Sequence, residues 1–220
     1  MKKSRFVSVL LVNAGPTLWD LQGRFGGSAD VPLSDEAVAR ITALAATYRG
    51  KIASLCCGPE TACREASLLM SPSRPKPREL NDLREPEIGL WQGMLDTELE
   101  RRYPSCFDSW RTDPASVSIP SGEEWMKASR RLVESLLKEG DRLADGEARH
   151  LAVVVRPLAW AELIRVATRR ATSDIGGILS GSSDLSPLLL DAHRLRDSLA
   201  EAAADPAPRV RRPLQRLLGT

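Results

Sequence analysis

Phe6-Val7-Ser8-Val9-Leu10-Leu11-Val12, followed by Asn13-Ala14-Gly15-Pro16-Thr17, decides the fold class. An apolar run interrupted only by Ser8 reads as a strand buried on both faces, the usual state of a central parallel strand. Gly15 and Pro16 then stop it abruptly. In open α/β sheets, ligands bind beyond the carboxyl ends of such strands. The segment from Asn13 to Thr17 is therefore the first place to look for chemistry. Yet Asn13 and Ala14 bring no charge, no nucleophile and no base.

Outward from this turn the pattern alternates between strand and helix. A loop rich in glycine runs from Trp19 to Asp30. Ser34 then caps a helix predicted over Asp35 to Tyr48, with Val38, Ile41, Leu44 and Ala45 on one face. Lys51 to Cys57 reads as a second strand, broken by Gly58-Pro59, and Glu60 to Met70 as a helix. After a Pro-rich connection, Leu80 to Leu83 reads as a short strand, and Leu95 to Arg102 as a helix that stops before Pro104. Ser121-Gly122-Glu123-Glu124 opens a long amphipathic helix reaching about Glu139. Leu151 to Val155 is another buried strand, and Pro157 sits where its missing N–H costs little, at the first turn of a helix running to about Ala171. Gly176 to Ser183 reads as loop, and Leu188 to Ala203 as a last helix. Strands alternating with helices predict an α/β three-layer sandwich with a mostly parallel sheet. The expected domain spans residues 1–171. A helical extension over 172–205 packs on it, and 206–220 forms a basic Pro/Arg tail carrying Arg209, Arg211, Arg212 and Arg216.

Composition sets the outer bounds. The chain has 220 residues, 42% apolar and 27% charged, which suits one globular domain with a real core. A net charge of +2 gives no footprint for nucleic acid. No apolar run is long enough to span a membrane, and Met1 to Arg5 before Phe6 leads into no convincing cleavage site. The expectation is a cytosolic protein. Cys56, Cys57, Cys63 and Cys106 fit no zinc spacing and no C-x-x-C motif, so no metal and no cofactor is expected.

The order of motifs also resembles a known family. Beside the first strand stand Gly23-Arg24-Phe25 before Asp30-Val31-Pro32-Leu33-Ser34, then a strand ending in Gly58-Pro59 and a helix. Leu83-Arg84-Glu85, Gly89-Leu90-Trp91-Gln92-Gly93, Tyr103-Pro104, Phe107-Asp108-Ser109-Trp110, Pro120-Ser121-Gly122-Glu123-Glu124 and a late Val153-Val154-Val155 strand follow. From Phe6 to Ala171 this set is similar to the histidine phosphatase superfamily in its phosphoglycerate mutase-like branch. The resemblance implies a phosphohistidine mechanism: a nucleophilic histidine, a second histidine and two arginines around the phosphoryl oxygens, and a carboxylic acid for the leaving oxygen. Where it implies Arg-His-Gly after the first strand, this sequence has Asn13-Ala14-Gly15, then Pro16 and a matching Thr17. Ala62 stands at the second arginine. Arg156-Pro157-Leu158 stands where the second histidine belongs. The acid alone is matched, by Glu85.

The residues therefore predict a degenerate member, a pseudophosphatase acting in binding, regulation or assembly. Arg64 is two positions from Ala62, about 200° round a helix, and points elsewhere. His150 precedes the late strand at the far end from the site, His193 lies beyond the matched region, and both are expected at the surface. The candidate pocket comprises Gly15, Thr17, Trp19, Asp20, Arg24 and Arg156 beside Glu85, with Cys56, Cys57 and Cys63 near its mouth. Its expected occupant is a small molecule, uncharged or cationic, unless the pocket has collapsed. A protein partner, a second copy of the chain included, is the other expectation; nucleic acid and membrane are not expected. The alternative is an enzyme with repurposed chemistry, using Glu85 as acid or base.

Overall fold

The computed structural model describes residues 8–142, 150–180, 188–191 and 197. Four strands run parallel: β1 (Ser8–Asn13), β2 (Ile52–Cys57), β3 (Arg78–Glu79) and β4 (His150–Val155). A fifth, β5 (Leu188–Asp191), is antiparallel, and the sheet order is β3-β2-β4-β1-β5. The mostly parallel α/β sandwich is thus as predicted. The register of β1 against β4 runs from Ser8 opposite His150 to Asn13 opposite Val155, so both strands end at one level. Two backbone hydrogen bonds lock that rim: the Ala14 N–H donates to the Val155 carbonyl at 2.9 Å, and the Gly58 N–H to the Val154 carbonyl at 3.0 Å.

The period of two divides the strand side chains between two cores. Leu10, Val12, Ala152 and Val154 face α2 (Asp35–Thr47) and α3 (Thr61–Met70). Val9, Leu11, Val153 and Val155 face α6 (Trp125–Arg142) and α7 (Pro157–Ala167). The short helices α1 (Leu18–Leu21), α4 (Asp96–Arg102) and α5 (Pro104–Thr112) lie in the connections, and α8 (Ile175–Ser180) packs on α7. Phe25, Trp91, Phe107, Trp110 and Trp125 join in one aromatic group with centroids 5.7–6.1 Å apart. Edge-to-face packing of this kind suits rings whose faces are negative and edges positive.

Several expectations need correction. On α2, Ile41, Leu44 and Ala45 pack against the core as expected, but Val38 is exposed and Ala37 takes the buried place in its stead. The third strand is Arg78–Glu79, and Asn81–Leu83 turns into a 3-10 helix instead. Ile175–Ser180 is a helix where a Gly/Ser loop was expected, because Ile175 and Ile178 bury one face against the core. The last helix does not begin at Leu188: residues 188–191 pair with Leu11 to Ser8 of β1. Three leucines satisfy either period, and the unpaired edge of β1 selects the strand. The sheet therefore extends past the boundary drawn at 171. Beyond β5 only Asp197 is described, and it is helical. The rest of the expected last helix, His193 and the basic tail 206–220 lie outside the described residues.

Candidate ligand pocket

Above the carboxyl ends of β1 and β4 lies a cavity of about 260 Å³. Its walls come from Asp20 of α1, the Gly23–Gly27 segment, Glu85, Ile88, Asp96, Trp110, the Arg156-Pro157-Leu158 turn into α7, and Leu179. Asp20, Arg24, Glu85 and Arg156 were candidates from the sequence and are brought together here. Gly15, Thr17 and Trp19 do not line the cavity. Thr17 is buried as the N-cap of α1, its hydroxyl accepting from the Asp20 N–H and donating to Asp20 Oδ2 at 2.7 Å. The Trp19 ring lies against Gly93 instead.

Glu85 caps the start of α7. Its Oε1 accepts the Leu158 N–H at 2.9 Å and its Oε2 the Ala159 N–H at 2.8 Å. These are the donors that a helix leaves unpaired in its first turn. Pro157 at the first position spends no N–H there. Burial pushes the Glu85 carboxyl up to about 8, opposed by Arg156 and by the two N–H groups. The backbone around Glu85 is held by Arg131 of α6, which donates to the carbonyls of Asp82, Arg84 and Glu85 and pairs with Glu123 at 2.6 Å.

Arg156 follows β4 directly and is 3% exposed. Its Nη1 donates to the Gly15 carbonyl at 3.0 Å and its Nη2 to Asp20 Oδ2 at 2.9 Å. Desolvation disfavours its charge, but Asp20 and Glu85 outweigh this and hold the guanidinium above its ordinary value. The guanidinium reaches over Gly26, where a Cβ would stand 3.0 Å from Nη2. Arg24 turns onto protein acceptors, the Gly93 carbonyl at 2.8 Å and Gln22 at 3.1 Å.

Ala14 and Ala62 do not reach the cavity. Both are buried with Ala37, Cys63 and Ala66 in the apolar cluster under α2 and α3. Asn13 is also buried and spends its Oδ1 on the Gly15 N–H at 2.9 Å. Of the catalytic positions that the resemblance implies at Asn13, Ala14, Ala62, Pro157 and Glu85, the last two line the cavity. Arg64 turns outward to Asp30, Thr61 and the Pro59 carbonyl.

The cysteines are not at the mouth, contrary to expectation. Cys56, Cys57 and Cys63 are at most 1% exposed, and burial pushes all three thiols up. Arg156 pulls Cys63 the other way without prevailing. His150 lies at the amino end of β4, opposite the cavity, as expected, but it is only partly exposed and stacks edge-on to Tyr48 at 5.7 Å. Among the described residues no group of His, Cys, Asp and Glu could hold a metal ion, and no helix is long and apolar enough to cross a membrane.

The sequence reading passed over Glu60 and most of the apolar wall. Glu60 is 3% exposed, and its Oε1 accepts the Glu85 N–H at 2.6 Å. Its Oε2 is buried without a hydrogen-bond partner. The available signal was its place, directly after the Gly58-Pro59 break at a strand's carboxyl end. Ile88 carried no local signal, and Trp110 stood in a motif that gave no hint of the cavity, because chain segments far apart in sequence bring both there.

A family model described as histidine phosphatase superfamily (branch 1) matches residues 9–173. A 2-carboxy-D-arabinitol-1-phosphatase of Triticum aestivum is 28% identical over 143 residues, 60% of this chain; the chain spans only 28% of that relative's length. Among solved structures, YhfR of Bacillus stearothermophilus superposes with a TM-score of 0.70 at 20% identity, covering 77% of this chain and 83% of that one. A mycobacterial glucosyl-3-phosphoglycerate phosphatase gives 0.68 at 18% identity, covering 79% and 84%. A phosphoglycerate mutase of Bacillus anthracis gives 0.67 at 19% identity, covering 76% and 82%. At these identities the solved structures speak for the fold.

Proposed function

The chain belongs to branch 1 of the histidine phosphatase superfamily, and from that premise we propose that it is a binding protein on this fold which transfers no phosphoryl group. The observation that supports this most is the placement of Ala14. Where the family resemblance implies the nucleophile, a methyl group is sealed in an apolar cluster with Ala62, apart from the cavity. Phosphoryl transfer through a covalent intermediate needs a nucleophile facing substrate, with cations around the phosphoryl oxygens. The cavity offers two guanidinium groups, both already donating to protein acceptors. A phosphate monoester would have to displace the Arg156–Asp20 pair to gain its charge-assisted bonds.

One observation favours the second reading, an enzyme with different chemistry. Glu85 holds its proton up to about pH 8 at the edge of the cavity, as a general acid or base would. Against it, both Glu85 oxygens are spent on α7. The test is incubation of the full chain with p-nitrophenyl phosphate, 3-phosphoglycerate and sugar phosphates, with phosphate release and acid-labile phosphoprotein as readouts. Neither should exceed the buffer. Turnover that a Glu85→Gln change abolishes would replace the binding reading with the second one.

A further inference from the structure

Resting on the reading that this cavity binds and does not transfer phosphate, we infer that it takes an organic cation, an ammonium group at Asp96 with an aromatic or apolar body behind it. Five charged side chains line the cavity, and four are engaged. Arg156 and Asp20 hold each other, Glu85 caps α7, and Arg24 is turned onto Gly93 and Gln22. Asp96 is the exception: among the described residues its carboxylate has no hydrogen bond and no ion pair. The start of α4 does not need it, since Glu98 already accepts the Leu95 N–H at 3.2 Å. Partial withdrawal from water pushes the Asp96 carboxyl up, Arg111 pulls it down, and Glu100 pushes it up. Arg111 is itself occupied, donating to Glu100 at 3.3 Å and lying over the Phe107 ring at 4.4 Å.

Among the described residues, Asp96 is thus the one charged side chain of the lining without a hydrogen bond or ion pair, exposed and open to a cationic donor. The wall fits the rest of such a ligand: Phe25, Ile88, Trp110 and Leu158 present apolar surface beside the acid. The negative faces of aromatic rings attract cations, and this aromatic group already holds one, Arg111, in that manner. A phosphate ester would meet a charge of its own sign at Asp96. A neutral ligand would gain no charge-assisted bond from that carboxylate.

The probe is 2-phenylethylammonium, titrated by calorimetry and tryptophan fluorescence against the full chain, with 2-phenylethanol and phenyl phosphate as neutral and anionic counterparts. The ammonium should bind about tenfold or more tightly than the alcohol, as expected for a charge-assisted hydrogen bond, and phenyl phosphate no more tightly than the alcohol. An Asp96→Asn change should erase the preference, and Asp96→Lys should reverse it. The Asp96 side chain is exposed and makes no hydrogen bond, so Asp96→Asn should keep the native melting temperature. Equal binding of the alcohol, tighter binding of phenyl phosphate, an intact preference in Asp96→Asn, or no binding of any probe would each overturn the inference. Phosphate released from phenyl phosphate would instead count against the non-catalytic reading, and is measured separately.

Discussion

Glu85 stands where the family resemblance implies an acid, yet both its oxygens cap the start of α7. Its carboxyl, ordinarily near 4.5, is pushed up to about 8 by burial, so between these values the folded chain keeps a proton that the unfolded chain has lost. Unfolding then releases a proton, and stability falls as pH rises through this window, by up to about 1.4 kcal/mol per pH unit. Below the window both states are protonated and above it both are ionised, so the contribution is flat. Glu85→Gln should remove this slope while weakening one of the two α7 bonds. Denaturant unfolding from roughly pH 5 to roughly pH 9 checks it, and a stability difference between the two proteins that is constant with pH would refute it. Glu85 was legible because Leu-Arg-Glu stands in a recognisable order. Arg156 was legible as a cation at a strand's carboxyl end. That the guanidinium would be claimed by Asp20 and the Gly15 carbonyl was not legible, because 136 and 141 positions separate those partners.

At the scale of elements, polar joints hold the helices to the frame. Glu162 on α7 is fully buried, and its carboxylate accepts from Trp125 at 3.0 Å and from Arg165 at 2.6 and 2.7 Å. Breaking a buried pair from one side leaves a charge without its counterion. Glu162→Gln should therefore cost about 3 kcal/mol or more by chemical denaturation. Gly89, at φ 51°, is a different kind of joint. A Cβ there would collide with the Pro120 carbonyl oxygen and the Gly122 nitrogen, so Gly89→Ala must push two loops apart. A drop of several degrees in melting temperature, with Ile88 shifted in the pocket wall, is expected; an unchanged melting temperature would show that the loops can yield. The long elements were readable because their periods are unambiguous, as in the five wholly buried residues Leu151 to Val155. The errors fell where a period is short or shared. Leu188-Leu189-Leu190 suits a helix or a strand, and the open edge of β1 chose between them.

Across the whole molecule, the fold class followed from one apolar stretch and the order of motifs, while the open part of the pocket followed from tertiary placement alone. Ala14 and Ala62 are buried in the apolar cluster under α2 and α3, away from the cavity, while Trp110, Leu158 and Leu179 line it. The sheet order has a further consequence, in time. β1 is made first, yet its two neighbours are β4 and β5, so its partners are not synthesised until residues 150–155 and 188–191 emerge. A central apolar strand must wait, unpaired, through most of translation. Such distant pairing predicts refolding on the order of milliseconds to seconds, slower than helical proteins of similar size. It also predicts that a chain halted before His150 aggregates, which light scattering on a ribosome-released fragment ending at Arg142 would reveal. For this protein, then, the residues that define the fold are also the ones most in need of protection while it forms.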